Sequence, residues 1–376
     1  MTFSFTKRAS RFLALAAITV FFFLQPNQAE AQLDGFGSLI QGGVDDGEKL
    51  AKEYLRPFGS GFGADLNTGW TNTGPVHGVL GFSVNVRAAG ALVPEMDQSF
   101  DLADQDFNNM RLSDQSATAN TLTPTLAGAS EAGPEMEVVL GDDDYVASRF
   151  NMPQGTGYSI VPAPMIQANV GIIRDTEIAV RYLPTGLMPD LGDFDVGLIG
   201  GGIKHELNQY IPGGGLWPVT ITAMGGFTQL GASYDGFSLT PDDYDTEPHN
   251  ADDFPASEWE DQAVSLTTTA WNANILVGRN LPLISAYAGV GIESSNMRML
   301  TEGTYPLIEP DPTPEDPERT RIDPQEEPID VDMDGRNDIR ALAGVRLRFF
   351  GILHVTAEYT YAEYQVLNVG VGVGLR

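Results

Sequence analysis

The chain has no cysteine in its 376 residues. That excludes a disulfide framework, a thiolate zinc centre, an iron–sulfur cluster and a cysteine nucleophile. Positive charge is also scarce. Lys+Arg total 21 against 51 Asp+Glu, a formal charge of −30, so nucleic acid, whose phosphates need Lys and Arg, is not an expected partner. Histidine occurs only at positions 77, 205, 249 and 354. No G-x-S-x-G, Walker loop, dinucleotide fingerprint or H-E-x-x-H is present, so the chain is not expected to be an enzyme. Long apolar runs are missing too. The best, from Phe12 to Leu24, falls short of the ~20 residues that a bilayer-spanning helix needs.

Residues 1–31 are nonetheless informative. Lys7, Arg8 and Arg11 precede that apolar run, and Ala29-Glu30-Ala31 follows it. This is the tripartite secretory pattern, with cleavage expected before Gln32. Removing three positive charges and one negative leaves the mature chain at −32. At 42% hydrophobic it is too apolar to be disordered throughout. It is expected to be either soluble outside the cytoplasm or a membrane β-barrel.

From residue 61 onward, apolar residues recur at every second position, the period of a strand. Leu80, Phe82, Val84, Val86 and Ala88 alternate with Gly81, Ser83, Asn85 and Arg87; Phe62, Ala64, Leu66 and Trp70 alternate with Asp65, Asn67 and Thr71; Val369, Val371, Val373 and Leu375 alternate with Asn368, Gly370, Gly372 and Gly374. A soluble β-sandwich shows similar alternation. Three features favour a barrel: strands longer than the usual 5–6 residues, a second parity rich in Gly, Asn and Thr, and tight connections alternating with long ones. Arg174-Asp175, Arg279 to Pro282 and Gly351-Ile352 are tight; 232–262 and 300–337 are long, as for periplasmic turns and extracellular loops. Trp70, Trp217, Trp271, Tyr182, Phe349, Phe350, Tyr359 and Tyr361 near strand ends supply interfacial girdles.

The expected fold is therefore all-β: a transmembrane antiparallel β-barrel of about twelve strands, or fourteen. Strands are read near 61–72, 78–91, 158–172, 176–184, 192–205, 217–231, 262–278, 283–299, 337–350, 353–363 and 366–376. That is eleven, and a twelfth is placed near Met136–Leu140 because single-chain bacterial barrels have even numbers. Residues 45–56, with Asp45 and Asp46 at the start and Pro57 as a stop, predict a short amphipathic helix. It could plug the lumen, pack below the barrel or lie on the inner leaflet. A turn or two of helix is predicted within 204–212. The resulting organisation is a signal peptide at 1–31, an amino-terminal helical segment at 32–60 and a barrel at 61–376.

The run from Tyr54-Leu55-Arg56-Pro57-Phe58-Gly59 through Asn67-Thr68-Gly69-Trp70, and that from Ile203-Lys204-His205 to Tyr210-Ile211-Pro212-Gly213, resemble an uncharacterised family of Bacteroidetes-type outer-membrane proteins. That family is more remotely similar to the long-chain fatty-acid transporter barrels. The resemblance covers most of 44–376 and implies a hydrophobic substrate and an amino-terminal plug. It brings no known chemistry. Gly374-Leu375-Arg376 departs from the terminal aromatic common in such barrels.

Acids gather in the loops: ten from Gly231 to Gln262 with no Lys or Arg, and thirteen against three Arg from Thr301 to Asp338. Seven prolines in the second loop predict an extended, mobile segment. Within it, Asp330, Asp332, Asp334 and Asp338 with Gly335 have calcium-loop spacing, but Ala341 stands where a bidentate acid belongs. A calcium site and a plain acidic turn both fit; no other cofactor is expected. Arg87, Glu177, Arg181, Asp193, Asp195, Arg340, Arg346, Arg348 and Glu358 are assigned to the inward parity, because an Arg facing lipid near the midplane costs ~2–4 kcal/mol. They would form either a selectivity-setting eyelet or a cross-lumen salt-bridge network. The expected role is passage of small solutes across the outer membrane of a Gram-negative-type bacterium, with hydrophobic molecules slightly favoured by the resemblance. The rival is a closed structural or surface-interaction barrel. Outer-membrane lipids and the barrel assembly machinery are the expected partners.

Overall fold

The computed structural model describes residues 36–140, 145–185, 194–236, 238–245, 248–311 and 320–375; the segment 1–31 read as an export signal, Asp193 and Arg376 lie outside them. Ten strands form one closed antiparallel sheet. They are β1 Phe82–Leu92, β2 Ile160–Ile172, β3 Thr176–Leu183, β4 Phe194–Glu206, β5 Thr220–Tyr234, β6 Ala263–Asn280, β7 Ile284–Glu302, β8 Ile339–Phe349, β9 Leu353–Tyr361 and β10 Gln365–Leu375. Each pairs with its sequence neighbours. Closure comes from β1 on β10, in register from Phe82↔Leu375 to Leu92↔Gln365, which removes the sheet edges.

Alternation along β10 shows which way the wall faces. Val369, Val371 and Val373 are 42–45% exposed, whereas Asn368, Gly370, Gly372 and Gly374 between them are buried. A sandwich would cover the apolar parity. Here it is the outer surface, the arrangement of an outer-membrane-type barrel. Tyr182, Trp217, Trp271, Phe349, Phe350, Tyr359 and Tyr361 lie exposed on that surface; Trp70 does not.

The tight turns at 173–175, 281–283 and 350–352 share one end of the barrel with the start of β1 and the finish of β10. Arg174, Asp175 and Phe350 adopt positive φ in two of them. The chain between β4 and β5 also lies at this end, with single 3₁₀ turns at Asn208–Tyr210 and Gly214–Leu216. The long connections gather at the opposite end and fold into a cap.

Met136–Leu140 does form a strand (Glu135–Leu140), but it pairs with Met110–Leu112 and Tyr145–Asn151 in the cap. The barrel therefore has ten strands and not twelve or fourteen. In the proline-rich loop, Thr304–Pro310 pairs with Thr320–Glu326, and Pro306 faces Pro324. That ribbon has only two strands, so the missing N–H groups take no ladder partner away. The described part of this loop is thus an ordered hairpin and not an extended mobile segment. Leu39, Ile40, Met110, Met136, Val138, Met299, Ile329 and Met333 form the cap's buried core.

Residues 61–72 are the larger departure. No strand begins there. A helix, Val44–Asn67, continues through Pro57 and runs down the inside of the barrel, followed by an irregular stretch to residue 81.

Candidate functional site

The lumen helix begins among the loops. Asp45 and Asp46 occupy its first turn, where carboxylates suit the positive helix end. Asp46 also accepts the backbone N–H groups of Asn108 and Asn109, at 2.9 and 2.7 Å. Leu50, Ala51, Tyr54 and Leu55 are buried in the cap core, and the Tyr54 hydroxyl donates to the Gln154 carbonyl at 2.7 Å. Proline in a helix interior removes one hydrogen bond and ordinarily ends the helix. Here burial of Tyr54, Leu55, Pro57, Gly59 and Ser60 outweighs that loss. Gly59, Gly61 and Gly63 lie against Met297, Val161 and Ser295 of the wall, where a Cβ would collide. Their small size lets the helix touch the barrel directly.

Deeper in, the helix end meets the inward arginines. A helix terminus leaves carbonyls without partners and carries about half a negative charge. The Arg181 guanidinium donates to the Leu66 carbonyl at 2.6 Å and to the Thr68 carbonyl, while Nε bonds Gln167 at 2.8 Å. Arg340 donates to the Asn67 carbonyl at 2.7 Å, to Asn274 at 2.9 Å and to Glu293 at 3.0 Å. These side chains satisfy the groups that water would otherwise have to reach.

Below the helix, the wall grips residues 68–77. Arg87 binds Asn368 at 2.9 Å, the Thr71 carbonyl at 3.1 Å, and Asn72. Glu358 accepts the Gly69 N–H at 2.7 Å and the Tyr287 hydroxyl at 2.6 Å. Lys204 reaches Thr71 Oγ1 and the carbonyls of Thr73 and Pro75 at 2.6–2.9 Å. Glu177 accepts the His77 N–H at 3.0 Å, Asn169 at 2.8 Å, and lies 2.6 Å from His77 Nδ1. Trp70 is buried against Gly202 and Gly226, a directly paired couple on β4 and β5, and the Arg181 guanidinium stacks 3.8 Å above its ring. Any side chain at either glycine would occupy the indole's place.

Every residue from 63 to 74 is buried. At the tight-turn end the lumen opens into a small recess of about 40 Å³ bordered by Thr73, Val76, His77, Arg346 and Arg348. Arg346 donates to His354 at 3.1 Å, and His354 contacts Asn85 at 2.6 Å.

Arg87, Glu177, Arg181, Arg340, Arg346, Arg348 and Glu358 lie on the parity that faces away from the exposed apolar residues. They do not ring an open passage. Arg87, Glu177, Arg181, Arg340 and Glu358 bind the central segment. Asp195 is different: it is exposed and shares the parity of Ile199 and Ile203, while Leu198 and Lys204 point inward. The parity of β4 is thus opposite to that read from Val196 and Leu198. Asp195 sits at the loop end of the strand, where an outward carboxylate meets no apolar layer. Asp193 lies outside the described residues.

Asp330, Asp332 and Asp334 do not wrap around a point. They project from one face of a strand, Asp330–Asp334, paired with the upper part of β7, and Arg298 grips Asp330 through two nitrogens. Asp338 lies beyond that strand, its carbonyl accepting the Glu293 N–H. Among the described residues no group of three or more His, Asp or Glu is arranged to hold a metal ion.

Sequence reasoning missed Lys204, His77, Trp70 and Tyr287. Lys204 carried a signal: it is one of four lysines in the chain and lies within a strand, where only an internal acceptor set makes a cation tolerable.

A model described as a family of unknown function (DUF6588) matches residues 8–375. No curated protein matches. Among solved structures, the chain is similar to the translocator domain of the autotransporter NalP from Neisseria meningitidis, with 10% identity, TM-score 0.27, and coverage of 79% of this chain and 88% of that one. It is also similar to Ail, the attachment invasion locus protein of Yersinia pestis, with 9% identity, TM-score 0.24, and coverage of 78% and 97%. The transport unit of AIDA-I from Escherichia coli gives 8% identity, TM-score 0.27, and coverage of 88% and 98%.

Proposed function

Because the chain belongs to that family of unknown function, membership brings no activity, and we propose from its own geometry a closed outer-membrane barrel that anchors a folded acidic cap on the outer surface of a Gram-negative-type cell. Tight turns are the periplasmic feature of such barrels and long loops the outer one, which orients the molecule. Outer-membrane lipids meet the apolar belt, and the barrel assembly machinery inserts it. The observation carrying the reading is the unbroken burial of residues 63–74 inside the lumen. An open channel would leave one side of that segment wet. In this reading the inward arginines hold a stopper and the cap is the working surface, with most of its cations already paired: Arg298 to Asp330, Arg321 to Glu309, Arg336 to Asp97 and Glu363.

Passage of small hydrophobic solutes, implied by the resemblance to fatty-acid transporter barrels, would require this segment to leave. Single-channel recording separates the two. The intact folded chain, verified by a heat-dependent gel shift, should be silent in a planar bilayer, and a variant lacking residues 44–77 that still shows the shift should give open steps. Stable ion-selective steps from the intact chain would overturn the closed reading.

A further inference from the structure

We infer that the lumen segment is an eleventh membrane crossing, running from outside to inside, so that this barrel presents its amino-terminal stretch at the cell surface and not in the periplasm. The inference rests on the orientation proposed above and adds to it the path of the chain. Ten strands return the chain to the side on which it started, so Phe82 and Leu375 face each other at the tight-turn end. One further pass through the lumen puts whatever precedes it on the other side.

Contacts along the segment give its direction. Leu39 and Ile40 are fully buried in the cap core with Met110, Met136 and Val138. Gln41 accepts from Ser148 at 3.0 Å, and the Gly42 carbonyl accepts from Asn109 at 3.3 Å, both partners belonging to the long connection between β1 and β2. Asn67 lies midway, at Arg340. Pro75 and His77 meet Lys204 and Glu177 near the turns, and the Leu80 N–H donates to the Gly171 carbonyl at 2.9 Å on the periplasmic rim. The order never reverses. The length is sufficient: a helix of 24 residues rises about 36 Å, more than the ~25 Å apolar band of such barrels.

A plug inserted from the periplasmic mouth would have its amino-terminal end among the tight turns. This one has that end sealed beneath the cap. The barrel is then a device that carries its own leading stretch outward and holds it there.

The absence of cysteine permits a direct test. Single-cysteine variants Asp45→Cys at the exposed head of the helix, Asp252→Cys on the cap and Gly215→Cys at the tight-turn end are treated with a bulky, membrane-impermeant maleimide, in intact and then permeabilised cells. Glu48→Cys serves as a second reporter of the helix head, and each variant is scored only after its gel shift shows a folded barrel. Asp45→Cys and Asp252→Cys should label fully in intact cells, and Gly215→Cys only after permeabilisation. If Asp252→Cys labels in intact cells but both helix-head reporters wait for permeabilisation, the outward threading is wrong while the orientation stands. If Gly215→Cys labels in intact cells and the other sites do not, the orientation itself is wrong and the inference falls with it.

Discussion

Arg340 offers the sharpest test of how the lumen is held. Its guanidinium and the Glu293 carboxylate are 3.0 Å apart, with each side chain 1% exposed, and the same guanidinium satisfies the Asn67 carbonyl at the helix end. Arg340→Met keeps most of the volume but strands a buried carboxylate, a loss of about 3–5 kcal/mol. It also leaves the Asn67 carbonyl short of a partner, about 1–3 kcal/mol when counted alone. The two overlap at one site and are not additive, so the expected loss is about 3–5 kcal/mol in total. The double variant Arg340→Met/Glu293→Gln buries no charge, and only the carbonyl loss of about 1–3 kcal/mol remains. The double should therefore be more stable than the Arg340→Met single by roughly 2 kcal/mol. Reversible denaturant unfolding in lipid vesicles, followed by the gel shift and by tryptophan emission, measures all four corners of the cycle. A single variant within about 1 kcal/mol of the parent, or a double no more stable than the single, would show that the pair is hydrated and that the lumen is not packed as described.

Gly226→Leu should cost about 1–3 kcal/mol by driving the indole of Trp70 off the β4–β5 wall; the cost should shrink in a Trp70→Ala background, and equal costs in the two backgrounds would dissociate the glycine from the ring. In the cap, burial alone would raise the carboxyl of Glu137, but hydrogen bonds and charge from Arg111 and Arg149 outweigh it and hold the group below its ordinary value of 4.5. A depressed carboxyl stabilises the fold above its unfolded value, and that contribution is lost as pH falls through the folded value. Both arginines are about half exposed, so the whole effect should stay under roughly 1 kcal/mol per pair. Limited proteolysis of the cap should show Glu137→Gln more susceptible than the parent at neutral pH, with the gap closing as pH falls through the depressed value below 4.5. A gap independent of pH would refute the assignment.

Much of the wall was legible in the sequence. Period-two alternation is a local property of a strand, and near β10 it names the lipid face residue by residue, because small or polar groups between valines leave only one surface for the apolar parity. The alternation of tight and long connections likewise placed both ends of the barrel. Residues 61–72 misled for an identifiable reason. Phe58, Phe62, Leu66 and Trp70 recur every four positions, which is even parity for a strand and nearly one turn for a helix. Pro57 signalled a stop that burial in the lumen overrode. In β4, glycines at 197 and 200–202 thin out the pattern, so that Val196 and Leu198 pointed to the wrong face.

Sequence alone thus determined an amphipathic, alternating wall, acidic loops and an inward parity that carries arginines. Only the tertiary structure decided that closure comes at ten strands, that a helix continues through its proline into the lumen, and that Arg87, Arg181, Arg340 and Lys204 grip that segment. The reason is range. Alternation, turns and charge are set by neighbours along the chain, whereas closure depends on residue 82 meeting residue 375. What fills the lumen depends on the carbonyls at 66, 67, 73 and 75 meeting cations more than a hundred residues away in sequence.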